Sequence, residues 1–206
     1  MKSVSIIITC YNKGKFIDRA IRSCLALRHE FFHTNVVVVN DCSTDNSEQV
    51  IRRFNDKIEI INLTENHGVA AASNIGIAAL NCDYWMRVDG DDYISNNALL
   101  HMLPILEQNQ DFSFVYANHV RVDKLSNVKK YVQLNDLETL YQHGAGVLFR
   151  SDIFKNKKIY DESFKNAEDY KLLKGLIDEQ HKGFHLPLYL YRYYIHGNNL
   201  TMKKDR

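Results

Sequence analysis

Residues 4–12 read VSIIITCYN, an apolar run rich in isoleucine that gives way to polar side chains. A run of this kind predicts a strand buried on both faces, as the strands of parallel sheets are. Similar runs follow at Val36–Val39, Ile58–Ile61 and Tyr84–Val88. Between them, apolar residues recur every three or four positions, which is typical of amphipathic helices. Strand and helix in alternation predict an α/β fold whose mostly parallel sheet is flanked by helices.

The predicted helices of the first half lie at Phe16–Leu27, Val50–Phe54, Val69–Leu80 and Ala98–Leu106. The second half of the chain is less regular. There we expect strands at Phe112–Tyr116, Val128–Val132, Val147–Phe149 and Tyr189–Tyr194, and a helix at Glu168–Ile177. Two prolines and nine glycines leave little room for a linker, so we expect one domain.

The composition is that of a globular chain, with 45% hydrophobic and 25% charged residues. The formal net charge of +1 supplies no overall field that would attract nucleic acid, so we expect no nucleic-acid partner. The four cysteines form no C-x-x-C pair, which argues against a zinc ribbon or a redox motif. No stretch approaches the roughly 20 apolar residues of a membrane span.

The start of the chain bears on its location. It runs directly into an apolar strand, without the features of a signal peptide. We therefore expect a cytoplasmic protein. Peripheral contact with the inner face of the membrane stays open, and so does the oligomeric state.

Polar residues follow each predicted strand of the first half. Ligands of open α/β sheets bind just beyond the carboxyl ends of the strands. This rule nominates Thr9, Tyr11, Asn12, Asp41, Asn66–Gly68 and Asp89–Asp92. Because parallel strands end at the same edge of a sheet, we expect these residues to converge on one cleft.

The segment Asp89-Gly90-Asp91-Asp92 is the strongest local feature. Its three carboxylates repel one another unless a cation or several donors neutralise them. Mg²⁺ and Mn²⁺ prefer such oxygen ligands, together with substrate phosphates. The alternative is a solvated acidic turn before the helix that starts near Asn96. A strand directly before the segment favours the metal site. Neither a G-x-G-x-x-G loop nor a P-loop occurs.

Two further features are weaker when taken alone. Glu168 and Asp169 begin a predicted helix, where acidic residues favour the helix dipole without any other role. Arg192 and His196 lie on and just past an aromatic strand, and an isolated histidine is more often a surface or core residue than a ligand.

Six segments together resemble the inverting glycosyltransferases of family 2, which have the GT-A fold. They are residues 4–12, 39–45, 66–76, 86–92, 168–170 and 191–196. Their order and separations are similar to those of the family over nearly the whole chain. The resemblance implies one glycosyltransferase domain, 1–206. Residues 1–95 or so would bind the nucleotide sugar, and residues from about 96 to 206 would bind the acceptor.

The resemblance also implies roles for single residues. Donor-binding residues would be Thr9, Tyr11, Asn12, Asp41, Asn74 and Asp89. Tyr11 would offer its ring to the base, and Asp41 would accept a hydrogen bond from it, typically from uracil. Asp89 would face the ribose or the water shell of the metal.

The remaining implied roles concern the metal and the reaction. Asp91 would bind Mn²⁺ or Mg²⁺ bridging the diphosphate, and His196 would approach the metal or the diphosphate. Asp169 would be the catalytic base, which takes a proton from the acceptor hydroxyl during one in-line displacement. The partners would be a UDP-sugar donor and a glycan or lipid-linked glycan acceptor.

The chain departs from the family pattern in two places. Ser73 stands where an arginine commonly precedes Asn74, so a positive charge is either lost or supplied by Lys13 or Arg87. The chain also ends soon after His196, which favours transfer of a single sugar over synthesis of a polymer.

Two other functions stay open. A sugar nucleotidyltransferase also uses a parallel sheet and a carboxylate-bound metal. It usually has a glycine-rich basic first loop, and residues 11–15, YNKGK, are a poor match to one. A nucleotide-binding module without turnover is the other, and the presence of Asp91, Asp169 and His196 together argues against it.

Overall fold

The computed structural model describes residues 1–28, 31–135, 137–141, 144–154, 158–164, 167–197 and 199. Within these residues, nine strands form one sheet. The strands are β1 (Lys2–Cys10), β2 (Phe32–Asn40), β3 (Glu59–Asn62), β4 (Tyr84–Asp89), β5 (Tyr93–Ile94), β6 (Phe112–Val122), β7 (Val128–Val132), β8 (Leu148–Arg150) and β9 (Lys182–Tyr194). The helices are α1 (Ile17–Leu25), α2 (Ser47–Ile51), α3 (Val69–Ala78), α4 (Ala98–Gln108), α5 (Leu137–Tyr141) and α6 (Glu168–Asp178), with 3₁₀ turns at Arg52–Phe54 and Asp152–Phe154.

The strand order across the sheet is β3-β2-β1-β4-β8-β6-β9-β5, and β7 pairs with β6. The first four strands pair in parallel. Their register places Cys10 opposite Asn40 and Thr9 opposite Asp89, so β1, β2 and β4 end at one edge. The α/β fold with a mostly parallel sheet flanked by helices is therefore confirmed.

The two faces of the sheet are covered by different helices. Ile6 and Ile8 of β1 point into one core with α1, whereas Ile7 points into the other core with α3. This alternation explains why β1 is apolar at every central position. Helix α3 packs very closely, because a Cβ at Gly76 would lie only 2.8 Å from the Ile7 side chain.

The second half of the chain completes the same sheet. Strands β6 and β9 pair in parallel and are longer than predicted. Polar residues such as Asn118 and His119 interrupt the apolar pattern of β6 although they are buried. In β9, Pro187 lies where the register with β6 shifts, a position that tolerates a missing N–H donor. The short elements β5 and α5 were not predicted, and the helix predicted at Val50–Phe54 is α2 (Ser47–Ile51) followed by the 3₁₀ turn Arg52–Phe54. In the part of the chain that the structure describes, no helix has the length and apolar character needed to span a membrane.

Candidate functional site

The acidic segment closes directly onto the end of β1. The Gly90 N–H donates a hydrogen bond to the Thr9 carbonyl at 3.0 Å. A Cβ at Gly90 would lie 2.8 Å from the same oxygen, so only glycine lets the segment approach β1 this closely. Thr9 itself is buried at this junction. The loop geometry at Asp89–Asp92 therefore follows from the pairing of β1 with β4.

Asp91 contacts two basic side chains, those of His196 and Lys13. His196 Nε2 lies 2.7 Å from Asp91 Oδ2, and Lys13 Nζ forms an ion pair with the same oxygen. The His196 ring stacks on Phe16, with the ring centroids 4.9 Å apart. Burial alone would raise the pKa of the Asp91 carboxyl, but the hydrogen bond from His196 and the Lys13 charge outweigh it and lower that pKa. Asp91 is therefore a buried, ionised carboxylate.

Arg19 fixes the backbone of this loop, a role that the sequence did not reveal. Its guanidinium donates a hydrogen bond to the Asp91 carbonyl at 3.1 Å. The same guanidinium lies 4.3 Å from the ring centroid of Tyr93 and 4.6 Å from that of Tyr194. A cation between two aromatic faces is well positioned. In the sequence, Arg19 is an ordinary polar residue of an amphipathic helix.

Asp92 ties the acidic segment to β9. Its Oδ1 accepts a hydrogen bond from the Tyr194 N–H at 2.8 Å. The Tyr191 hydroxyl accepts one from the Asp89 N–H at 3.2 Å and also bonds the Asp92 side chain. Burial and the charges of Asp91 and Asp89 raise the pKa of Asp92 well above its usual value. Asp92 thus shapes the turn through its contacts with β9, and burial favours its protonated form.

Arg87, on β4, links the acidic segment to helix α6. Its side chain is 2% exposed and faces three carboxylates. Nη2 donates to Asp169 Oδ2 at 2.7 Å, Nη1 donates to Glu168 Oε1 at 3.2 Å, and Nε lies 3.4 Å from Asp89 Oδ1. Burial raises the pKa of Asp169 to about 7, with Arg87 lowering it and Glu168 raising it further.

Asp41 is buried at the end of β2 and holds the loop that follows β3. Its Oδ2 accepts hydrogen bonds from Asn66 Nδ2 and Gly68 N, both at 2.9 Å, and its Oδ1 accepts one from His67 N at 2.8 Å. An ionised carboxylate has about four acceptor positions. Asp41 can therefore accept one further hydrogen bond. Its contact with a nucleobase stays a prediction.

Tyr11 and Asn12 follow β1 at the same edge. Asn12 has a φ of 53°, and its Oδ1 accepts hydrogen bonds from Thr44 N at 2.8 Å and Asp45 N at 3.2 Å. This side chain therefore joins the loop after β1 to the loop after β2. Tyr11 is 46% exposed, so its ring is accessible at the rim of the site.

Asn74 lies on α3 and contacts the segment before α6. Its Nδ2 donates to the Tyr160 carbonyl at 2.8 Å and to Glu162 Oε1 at 3.0 Å, and its Oδ1 accepts from Tyr160 N at 2.9 Å. These bonds use both amide hydrogens and the oxygen, so the structure does not bring Asn74 into the Asp91 cluster. Ser73 is fully buried and donates to the Val69 carbonyl. Of the two replacements considered for the missing arginine, Lys13 is the one at Asp91.

The residues present fit a hard divalent cation only in part. Asp91 and His196 converge, but the described residues contain no group of three or more His, Cys, Asp or Glu side chains able to hold a metal. Mg²⁺ and Mn²⁺ are commonly held by one or two carboxylates together with substrate phosphates. The donor set therefore fits a metal that binds together with a diphosphate.

Curated relatives share the sequence over most of this chain. An uncharacterized glycosyltransferase of Rickettsia typhi is 31% identical over 82% of this chain and 57% of the relative. The poly-beta-1,6-N-acetyl-D-glucosamine synthase of Staphylococcus aureus is 26% identical over 68% of this chain and 34% of the relative. The chain thus spans about half or less of the length of these relatives.

Solved structures share the fold. S. aureus TarS in complex with UDP-GlcNAc superposes with a TM-score of 0.80 at 22% identity, over 100% of this chain and 62% of that one. Mannosyltransferase PcManGT from Pyrobaculum calidifontis, in complex with GDP-Man and Mn²⁺, has a TM-score of 0.73 at 15% identity, over 96% of this chain and 58% of that one.

The family model named Glycosyl transferase family 2 matches residues 5–169. This range runs from β1 to the start of α6, and so includes the acidic segment, Arg87 and Asp169. With most of its length matched, the chain belongs to glycosyl transferase family 2.

Proposed function

We propose that this chain is an inverting glycosyltransferase that moves one sugar from a UDP-sugar to a glycan or lipid-linked glycan, with Mn²⁺ or Mg²⁺. One observation carries the proposal. Buried Arg87 contacts both Asp169 and Asp89, and Asp89 lies two positions before Asp91, the carboxylate that His196 and Lys13 contact. A direct displacement needs two groups. One holds the leaving diphosphate, and the other takes the proton of the acceptor hydroxyl.

The donor would lie along the ends of β1, β2 and β4. The exposed Tyr11 ring would stack on the base, and Asp41 would accept a hydrogen bond from it. Asp89, the most exposed carboxylate of its segment, would face the ribose. UDP is favoured because TarS binds UDP-GlcNAc and a curated relative is an N-acetyl-D-glucosamine polymer synthase.

Asp91 and His196 would hold the metal. Bound there, it would stabilise the negative charge that develops on the departing diphosphate. Lys13 would add a second positive charge at the same position, in place of the arginine that Ser73 replaces. Mannosyltransferase PcManGT, which shares the fold, is in complex with GDP-Man and Mn²⁺, and this supports the choice of metal.

Asp169 would be the base. As the acceptor oxygen bonds to the anomeric carbon, the bond from that carbon to the diphosphate oxygen breaks and its electron pair leaves with the diphosphate. The acceptor proton moves to Asp169. No covalent intermediate on the protein forms, so the configuration at the anomeric carbon inverts. Burial that raises the pKa of Asp169 to about 7 suits a base near neutral pH.

The acceptor would approach from the second half of the chain. The donor residues named above precede residue 95, whereas Asp169 and His196 follow it, and this supports the division of the domain near that position. A lipid-linked acceptor would bring the protein to the inner face of the membrane as a peripheral protein.

One experiment separates the candidate functions. The protein is incubated with Mn²⁺ and a panel of nucleotide sugars, and the release of nucleoside diphosphate is measured. We expect slow release of UDP to water, abolished in Asp91→Ala. Release of pyrophosphate from a nucleoside triphosphate would instead identify a nucleotidyltransferase. Tight binding of UDP without any turnover would identify a binding module.

A further inference from the structure

Arg87 is buried between two parts of the site that are far apart in sequence. Its guanidinium contacts Asp89 at the end of β4 and Glu168 and Asp169 at the start of α6. The Tyr160 ring lies below it, with the guanidinium carbon 5.2 Å from the ring centroid. A planar guanidinium donates in fixed directions, so it holds its partners in a fixed relative geometry.

The two oxygens of Asp169 have different surroundings. Oδ2 accepts the hydrogen bond from Arg87 at 2.7 Å. Oδ1 is buried and has no hydrogen-bond partner among the described residues. A buried acceptor without a partner is costly, and in a native site it calls for a functional explanation. Gly144 lies on this side, since a Cβ there would come within 2.6 Å of Oδ1.

We infer that Arg87 is the positioning residue of the base. It holds Asp169 by Oδ2 and leaves Oδ1, beside Gly144, to take the proton of the acceptor hydroxyl. This inference rests on the proposed function. During transfer the acceptor O–H bond breaks, its proton binds to Oδ1, and the carbon–oxygen bond to the diphosphate breaks with both electrons leaving on the diphosphate. Arg87 keeps its hydrogen bond to Oδ2, although the contact is no longer an ion pair once Oδ1 is protonated.

The same guanidinium links the base to the donor side. Nε faces Asp89, the proposed ribose contact, while Nη2 holds Asp169. The distance from base to donor is therefore set by one rigid side chain rather than by two independent loops. A lysine at this position would keep the charge but lose the fork, so it could not hold both carboxylates in one geometry.

The groups that face Asp169 shift its pKa in opposite directions. Arg87 favours its ionised form, whereas Glu168 on the same helix and Asp89 on β4 disfavour it. The buried phenol of Tyr160 is the fourth neighbour with a titratable group. Substitutions of Arg87 and of Glu168 should therefore move the protonation of Asp169 in opposite directions, which a purely structural role would not do.

The first test measures the pH dependence of transfer in Arg87→Lys and Glu168→Gln. We expect the acidic limb of kcat/KM to move up by about one pH unit in Arg87→Lys, and down by a similar amount in Glu168→Gln. Arg150→Lys is the matched control. Arg150 is also a buried arginine, and its guanidinium contacts carbonyl oxygens and the Tyr84 hydroxyl instead of carboxylates. The acidic limb of kcat/KM in Arg150→Lys should stay at the same pH as in the wild type.

A titration without substrate separates this inference from the proposed function. The carboxyl ¹³C signal of Asp169, identified by its loss in Asp169→Asn, should show the same shifts in the two variants. A wild-type protein without transfer would contradict the proposed function. If the wild type transfers sugar but the titration midpoint of Asp169 is the same in Arg87→Lys as in the wild type, only the role of Arg87 is contradicted. If Arg87→Lys does not fold, the shift in Glu168→Gln decides.

The second test concerns Oδ1 and uses Gly144→Ala. A Cβ at Gly144 would lie 2.3 Å from Asp169 Cγ and 2.6 Å from Oδ1, so the methyl group must displace the carboxyl from the position that Arg87 sets. We expect kcat to fall by about tenfold or more and UDP affinity to stay unchanged. Gly175→Ala is the control, because a Cβ at this helical glycine meets nothing within 4 Å. Transfer at the wild-type rate in Gly144→Ala would contradict the need for this position of Oδ1.

Discussion

His196 Nε2 lies 2.7 Å from Asp91 Oδ2, although 105 positions separate the two residues. Lys13 pairs with the same carboxylate oxygen, so its positive charge offsets the negative charge of the proposed metal ligand. A divalent cation that binds Asp91 through Oδ2 would take over this oxygen from at least one of the two side chains. The protein thus supplies its own counter-charge at the position where the donor and the metal would bind.

Replacement of Lys13 should change the affinity for the metal and the affinity for the nucleotide in opposite directions. In Lys13→Met, Asp91 loses a competing cation, so we expect Mn²⁺ affinity without nucleotide to rise by about fivefold. UDP affinity should fall by about tenfold, because the diphosphate loses a charge-assisted hydrogen bond. Calorimetry measures both, and Lys15→Met, an exposed lysine of the same loop, should change neither. A fall in both affinities would contradict the competition.

Removal of the exposed ring of Tyr11 should weaken nucleotide binding without lowering the stability of the fold. Base stacking on an aromatic side chain contributes about 1–3 kcal/mol, so Tyr11→Ala should raise the Kd of UDP by roughly five- to a hundredfold. The unfolding temperature should not change, because the ring is 46% exposed. Tyr131→Ala, at an exposed tyrosine of β7, is the control and should bind UDP normally. Equal UDP affinity in both variants would exclude stacking.

The pH profile of transfer should report the protonation of Asp169. Burial raises its pKa to about 7, and only the ionised form accepts a proton. We therefore expect kcat/KM to rise as the pH increases through about 7 and to level off above it. Asp169→Asn should lose roughly a hundredfold or more of kcat while it retains UDP binding. A flat wild-type profile from pH 5 to 8 would be the contrary result.

At position 92, asparagine should preserve the stability of the protein and alanine should lower it. Burial raises the pKa of the Asp92 carboxyl, and its Oδ1 accepts a hydrogen bond from the Tyr194 N–H. Asparagine retains an acceptor of the same shape, so the free energy of unfolding of Asp92→Asn should stay within about 1 kcal/mol of the wild type. Asp92→Ala leaves the Tyr194 N–H without this partner and should cost about 1–3 kcal/mol. Urea unfolding at pH 7 gives both values, and equal losses would contradict this role of Oδ1.

The sequence predicted best what neighbouring residues determine. The buried runs of β1, β2 and β4 carry their signal within a few residues, and the rule that ligands bind at strand ends placed Asp89–Asp92 correctly at the edge of the sheet. Strand β9 was predicted only from Tyr189, since its first part alternates less clearly and contains Pro187. Periodicity cannot reveal a strand whose burial depends on a partner far away in the chain.

The sequence could not predict contacts between residues that are far apart in the chain. Arg19 is a helix residue whose function appears only when β5 and β9 bring Tyr93 and Tyr194 to either side of it. For Arg87, the ring of carboxylates depends on where α6 begins relative to β4. In the case of Asn74, family resemblance implied a donor contact, and its three hydrogen bonds to residues 160 and 162 follow from the packing of α3.

The bond from Tyr194 to Asp92 has a consequence for the order of events during synthesis. Strands β1 to β4 leave the ribosome about a hundred residues before β9, yet two hydrogen bonds of the acidic segment are made with β9. A nascent chain therefore has Lys13 and Arg19 beside these carboxylates before it has Tyr191 and Tyr194. We expect a chain that stops before β9 to bind the donor more weakly than one that includes it.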